Sequence, residues 1–214
     1  MNQDVTIARE TNGAGALGPV SLTGNFIYLE PMRPEHAKGI LDAGRDFDWA
    51  WMTVKLENLE SVRMWIAEAQ GAEARGEDYP FVVRERRTEK IIGCTRYMDT
   101  HPKQMATEIG WTWYSPSLWG TVVNPECKLL LLAHAFDDWG AVRVQLKTDN
   151  NNIHSQRAIL KLGAKYEGRL RSHRFRADGT LRDTMMYSIL LEEWPEVKAS
   201  LLKRIQDLTK KHSG

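Results

Sequence analysis

Asn152 and Ser155 open the run NNIHSQRAILKLG, and on a helix of 3.6 residues per turn they share a face with Ala158, Ile159 and Leu162. That face should turn towards a core, so two polar groups at its head need an explanation. Asn152 suits a helix cap. Ser155 has two readings: a hydroxyl satisfied by a nearby backbone carbonyl, or a donor aimed at a ligand. A second chemical locus is the loop SPSLWGTVV and the helix NPECKLLLLAHAFDDWG that follows it. Asn124 is placed to cap this helix, Pro125 fits its first turn and Glu126 complements its positive end. Free amides and the helix dipole converge there, as an anion such as phosphate requires. No Lys or Arg lies between Ser115 and Pro125, so such an anion would depend on backbone amides. A third locus, RLRSHRFRADGTLR, carries five arginines and one aspartate, which reads as a solvated strand face, or as a grip on an anionic acceptor or acyl group. Its single aromatic, Phe175, gives no basis for stacking on nucleic-acid bases.

The elements that must hold these loci follow from periodicity. NFIYLEPM reads as a strand, and Pro34 then starts a short helix ending near Gly44. Leu59, Val62, Trp65, Ile66 and Ala69 recur at helical spacing, with Asn58 or Ser61 as cap. PFVVRER, KIIGCTRYMD and MATEIGWTWY are strand-like and joined by short turns, an antiparallel meander. The helix after Asn124 leads to AVRVQLKT, whose alternation gives a strand and therefore a βαβ unit. A helix over 153–162, two strands around the Asp-Gly turn ADGT, and an amphipathic helix with Trp194, Val197, Leu201, Ile205 and Leu208 complete the chain. The fold class is mixed α/β, a mostly antiparallel sheet with helices on both faces and one parallel crossover. Residues 1–23, rich in Gly and small side chains, read as a flexible extension, 24–195 as the domain, and 196–214 as its terminal helix and tail.

Composition narrows the class. The 214 residues suit one domain, and 29 Lys and Arg against 28 Asp and Glu leave a net charge of +1, so no overall field selects nucleic acid or an anionic membrane. Two cysteines, Cys94 and Cys127, are too few to staple the domain and stand in no metal spacing, which suits a reducing, cytoplasmic setting without a metal. Neither has an obvious histidine partner in sequence, with His101 and His134 the remaining candidates for one. No apolar run reaches the roughly 20 residues of a membrane span.

TDNNNIHSQRAILKLGAKYEGRLR, followed by DGTLRDTMMYSILLEEW, resembles the carboxy-terminal half of GCN5-related N-acetyltransferases (GNAT), in particular the RimJ and RimL type that acetylates ribosomal-protein amino termini. Asn152, Ser155, Arg157, Ala158, Ile159 and Gly163 carry that motif, and the resemblance spans roughly Gly24 to Pro195. It implies transfer of an acetyl or other short acyl group from acetyl-CoA to a primary amine by direct attack, on a protein or a small molecule. It implies that acyl-coenzyme A lies in a cleft between splayed strands, EIGWTWY and VRVQLKT, so that Trp113, Tyr114, Trp119, Gly120, Thr121, Val122, Val123 and Asn124 contact it. Ser155 would donate a hydrogen bond to the departing thiolate, and Asn152 would bond the pantetheine arm or the neighbouring backbone. Glu108 is the general base by position, and His173, standing where relatives can carry a carboxylate, is the alternative.

By the same resemblance, Trp49 and Trp51 fall where the acceptor groove narrows and a homodimer is implied, while Arg171, from the arginine run, is assigned to the substrate. Val122 departs from the family pattern, since a glycine there normally lets the phosphate approach closely; either the loop runs differently or coenzyme A binds more weakly. Two alternatives to an enzyme stand beside this reading, a non-catalytic acyl-coenzyme A sensor and an interaction protein using the arginine hairpin.

Overall fold

The computed structural model describes residues 8–10 and 17–212. Its strands are β1 (Ala8–Glu10), β2 (Ser21–Thr23), β3 (Ile27–Pro31), β4 (Tyr79–Glu85), β5 (Ile91–His101), β6 (Ala106–Tyr114), β7 (Arg143–Asp149), β8 (Lys165–Phe175) and β9 (Leu181–Leu190). Its helices are α1 (Ala37–Ala43), α2 (Leu59–Ala74), α3 (Val123–Ala133, continued by a wider turn to Asp138), α4 (Ile153–Leu160) and α5 (Trp194–His212). The strands form one sheet in the order β1-β2-β3-β4-β5-β6-β7-β9-β8. Every pair is antiparallel except β6 with β7, the crossover made through α3. The expected element order is therefore observed, with two short strands added in front.

Each face of the sheet has its own core. On one, Ile27, Leu29, Tyr97, Val144, Leu146 and Ile189 meet the apolar sides of α3, α4 and α5. In α5 the stripe Trp194, Val197, Leu201 and Ile205 recurs at helical spacing and is buried throughout, each side chain contributing about 1.5–3 kcal/mol. On the other, Met32, Val82, Cys94 and Trp113 lie under Ile40 of α1 and Val62, Trp65 and Ile66 of α2. Asn58 caps α2 through a reciprocal pair with Ser61, so both candidate caps take part.

The expectation of a loose segment over 1–23 is corrected for its last seven residues. Leu17, Val20 and Leu22 are buried in the first core, β2 pairs with β3, and Ala8–Glu10 pairs with β2. Burial of three apolar side chains outweighs the glycine-rich composition around them. Residues 1–7 and 11–16, also assigned to that segment, lie outside the described residues.

Candidate active site

β6 and β7 pair only at Ala106 with Arg143, Thr107 with Val144 and Glu108 with Gln145, and then part. β6 runs on to Tyr114 and β7 to Asp149, so the two strands form a fork that opens towards α3 and α4. A local irregularity of β6 turns it away. Trp111 has a φ of 50°, and the register with β5 shifts between Cys94 and Arg96. Gly93 is needed opposite this bulge, because a Cβ there would lie 2.2 Å from the Trp113 carbonyl oxygen.

One prong leads through Ser115–Val122 to α3. Ser115 Oγ donates to the Ala43 carbonyl (2.8 Å), Thr121 Oγ1 donates to the Leu118 carbonyl (2.7 Å), and Val123 N donates to Thr121 Oγ1 (3.3 Å). Gly120, at φ 77°, is open on its side-chain side, with no atom within 4 Å of where a Cβ would stand. The expectation that Asn124 caps this helix is corrected. The helix begins at Val123, Val122 occupies the cap position without a side-chain bond, and Asn124 lies inside the first turn. The amides of Gly120, Val122 and Asn124 make no hydrogen bond to another described residue, which leaves them for an anion. Glu126 does more than complement the dipole. Buried, it accepts from the amides of Asn25 (2.7 Å), Phe26 (2.9 Å) and Ile27 (3.0 Å), fastening the start of β3 to α3.

The other prong leads to α4. Asn152 Oδ1 accepts from Ser155 N (2.9 Å), so Asn152 is the cap that its residue type suggests. Ser155 is half-buried, and its hydroxyl forms no hydrogen bond to a described residue, so the carbonyl partner considered for it is not made. Across the mouth, the half-exposed indole of Trp119 stacks on His154 in the first turn of α4, with centroids 5.4 Å apart.

Glu108 sits at the base of the fork. It is buried, receives Lys147 Nζ at 2.7 Å and accepts from Gln145 Nε2 at 3.1 Å. Burial raises its carboxyl above the ordinary range, and Lys147 and Gln145 oppose the rise. Lys128 of α3, also buried, donates to Thr112 Oγ1 (2.7 Å) on the stretch of β6 beyond the last pair with β7. Burial pushes its ammonium down to about 8.

Other assigned residues are distributed unevenly. Trp113 and Trp49 are packed into the second core with centroids 5.1 Å apart, so their side chains do not line the cleft. Tyr114 is likewise buried, in the first core. Trp51 remains at the surface, and so does Arg171. His173 is exposed in a bulge of β8, with Nδ1 3.1 Å from Thr184 Oγ1. Partial burial, then Arg174, Lys147 and Arg182, hold its imidazole below the usual value. Cys94 and Cys127 are fully buried, and burial raises both thiols. His101 pairs with Asp99 (3.2 Å), and His134 with Asp138 and the Leu17 carbonyl (both 3.1 Å), so neither histidine activates a cysteine.

Sequence reasoning passed over Lys128, Lys147, Asp149 and Arg182. A signal existed for two of them: Gln145, Lys147 and Asp149 alternate with the buried Val144 and Leu146, so they belong to the face that carries Glu108. Lys128, the sole charge within KLLLLA, was hidden by its apolar neighbours.

An acetyltransferase (GNAT) domain pattern matches residues 27–165. A protein of T. thermophilus, provisionally described as an acetyltransferase, is 32% identical, with 88% of this chain and 98% of that one covered and a TM-score of 0.78. The uncharacterized N-acetyltransferase YoaA of Bacillus subtilis (strain 168) is 28% identical over 138 residues, 63% of this chain and 77% of its own length. Mycobacterium smegmatis RimJ, solved with CoA-disulfide, shares the fold at 21% identity and a TM-score of 0.70, over 83% of this chain and 88% of that one. Among the described residues no helix is long and apolar enough to cross a membrane. With the forked β6–β7 pair, the unsealed start of α3 and the match over residues 27–165, the chain belongs to the GNAT family and is an N-acetyltransferase, a transferase that moves an acyl group from coenzyme A to an amine.

Proposed function

We propose that the fork between β6 and β7 is where this chain brings acetyl-CoA, or another short acyl-CoA, to a primary amine, and that Ser155 serves the leaving sulphur. The observation that carries this is the contrast at the two prongs. The first turn of α3 keeps several backbone amides free for a pyrophosphate, whereas in the first turn of α4 Asn152 takes the Ser155 amide and the Ser155 hydroxyl has no partner among the described residues. The donor set fits such a carrier, because open amides and an open Gly120 accept an anion without a cationic side chain. Val122 and Val123 border this cradle, and Trp119 with Thr121 shapes its rim.

A neutral amine must attack the thioester carbonyl, lose a proton and be met by a leaving group able to carry charge. Ser155 Oγ–H donates a hydrogen bond to the departing thiolate, and solvent supplies the proton that turns it into the free thiol. Glu108 is the candidate base. Its raised carboxyl accepts a proton more readily than an exposed one, and Lys147 is placed to steady its charged form. His173 is a second candidate, neutral at physiological pH because its imidazole is held low. The acceptor enters from the side of Trp51, and the chain works in the cytoplasm, as a homodimer. The test is a free-thiol assay with acetyl- and succinyl-CoA against a panel of primary amines. Amine-dependent thiol release is expected, and binding of coenzyme A with no release for any amine would overturn this reading.

A further inference from the structure

The sheet face opposite α3 and α5 carries a compact set of charges beside the fork. Its acids are Glu108 and Asp149, and its cations are Lys147, Arg174, Arg176 and Arg182. Two pairs close on themselves. Lys147 takes Glu108 at 2.7 Å. Arg176 grips Asp149 with both ends of its fork, Nε to Oδ2 at 2.7 Å and Nη2 to Oδ1 at 3.0 Å, and Asp149 Oδ1 also accepts from Asn151 N at 2.8 Å.

Arg182 is left over. It is 9% exposed, its closest carboxylate oxygen, Asp149 Oδ2, is 3.9 Å away and already held by Arg176, and its guanidinium makes no hydrogen bond to another described residue. Its Nε is shut off from solvent without a partner, while its two Nη atoms are not among the sealed groups. Directly opposite, on β8, stands a second cation, Arg174. A buried guanidinium whose one ion pair is long and shared with Arg176, and which has like charges around it, is costly unless a second anion completes it. Burial, with Arg174 and Arg176, draws Arg182 below the ordinary arginine range, against the opposing pull of Asp149 and Glu108.

Position says what that anion belongs to. Arg182 lies past the end of β7, where Asp149 pairs with Thr184 and the chain turns through Asn152 to Ser155. It therefore borders the mouth of the fork on the face away from α3, the side left to the reactants once the carrier's phosphates sit at α3. Arg169 and Arg171 of the same hairpin are exposed, with Arg169 paired to Asp183, and neither belongs to this cluster. Resting on the acyltransferase reading above, we infer that Arg182 receives a carboxylate of a reactant, end-on to its two Nη atoms. That carboxylate belongs either to the acceptor, an amino acid or acidic peptide, or to a dicarboxylic acyl group on the donor.

The experiment compares the wild type with R182Q and R182K in a thiol-release assay. The acceptor arm sets glycine and aspartate against glycinamide and ethanolamine with acetyl-CoA. The donor arm sets succinyl-CoA against acetyl-CoA with ethanolamine. In one arm kcat/KM should favour the carboxylate at least tenfold, R182Q should bring the two reactants within twofold of each other, and R182K should keep part of the preference. No carboxylate preference in either arm, or an equal loss for every pair in R182Q, would overturn the inference while leaving amine-dependent turnover intact. If no pair releases thiol, the acyltransferase reading fails, and binding alone decides for Arg182. Succinate, and not succinamide, should then raise the unfolding temperature of the wild type but not of R182Q. Equal shifts in both proteins would sink it.

Discussion

The two helices that flank the fork begin in opposite ways. α4 is sealed by Asn152, whose side chain satisfies the Ser155 amide, while α3 begins at Val123 with no side-chain cap and with amides left open. Sealing a helix end removes it from ligand chemistry and fixes the orientation of its first turn. Leaving it open costs local stability and keeps a positive dipole available. One end positions a hydroxyl, and the other offers a cradle.

The comparison can be broken most forcefully at Ser155. Ser155→Ala should lower kcat roughly a hundredfold with little change in coenzyme A affinity, the pattern for a contact made to the leaving group; steady-state kinetics with unaltered kcat would remove Ser155 from the mechanism. Asn152→Ala removes the cap and should cost about 1 kcal/mol, lowering Tm by roughly 2–4 °C. A loss of rate larger than that for Ser155→Ala would show that the cap, and not the hydroxyl, is the working group.

On the α3 side, Val122→Gly should tighten coenzyme A about threefold by calorimetry, a gain of well under 1 kcal/mol, if phosphate approaches the loop at that point. No change would place the phosphate at Gly120 and Asn124 alone. A last, pH-dependent effect concerns Lys128. Its folded-state value of about 8 lies below the 10.5 of an unperturbed lysine, so between these pH values the unfolded chain binds more protons and stability rises with pH. Below about pH 8 the folded chain carries the full cost of the buried charge. Lys128→Met should flatten that rise in denaturant titrations, and a rise of unchanged slope would assign it to another group.

The order of elements was readable because periods of 2 and 3.6 survive in short windows, as in the VRVQLKT alternation and the α5 stripe. The start of α3 was misread. Asn-Pro-Glu looks like a cap followed by a first turn, yet Thr121 bonds the Val123 amide and Glu126 is drawn to the amides of Asn25–Ile27, about a hundred residues earlier in the chain. No local signal reports that contact. The front segment failed for the same reason, since Leu17 and Leu22 gain their burial in a core built with the distant α3 and with β3. At the site, Ser155, Asn152 and the fork were legible from one motif and one crossover. The charge cluster around Arg182 was not, because β6, β7, β8 and β9 each supply part of it, and only the register brings Arg182 opposite Arg174 and within 3.9 Å of Asp149.

The contact between Trp119 and His154 ties the two prongs together with a pair of flat rings, one from each side of the gap. Because an indole's emission shifts to longer wavelength when water reaches it, separation of these rings carries its own optical label. Among eight tryptophans, Trp119 is half-exposed, while Trp49, Trp65, Trp113 and Trp194 are shielded in the cores, so it stands apart from them by quencher accessibility. Widening of the gap by a bound molecule can thus be followed in real time without attaching any dye.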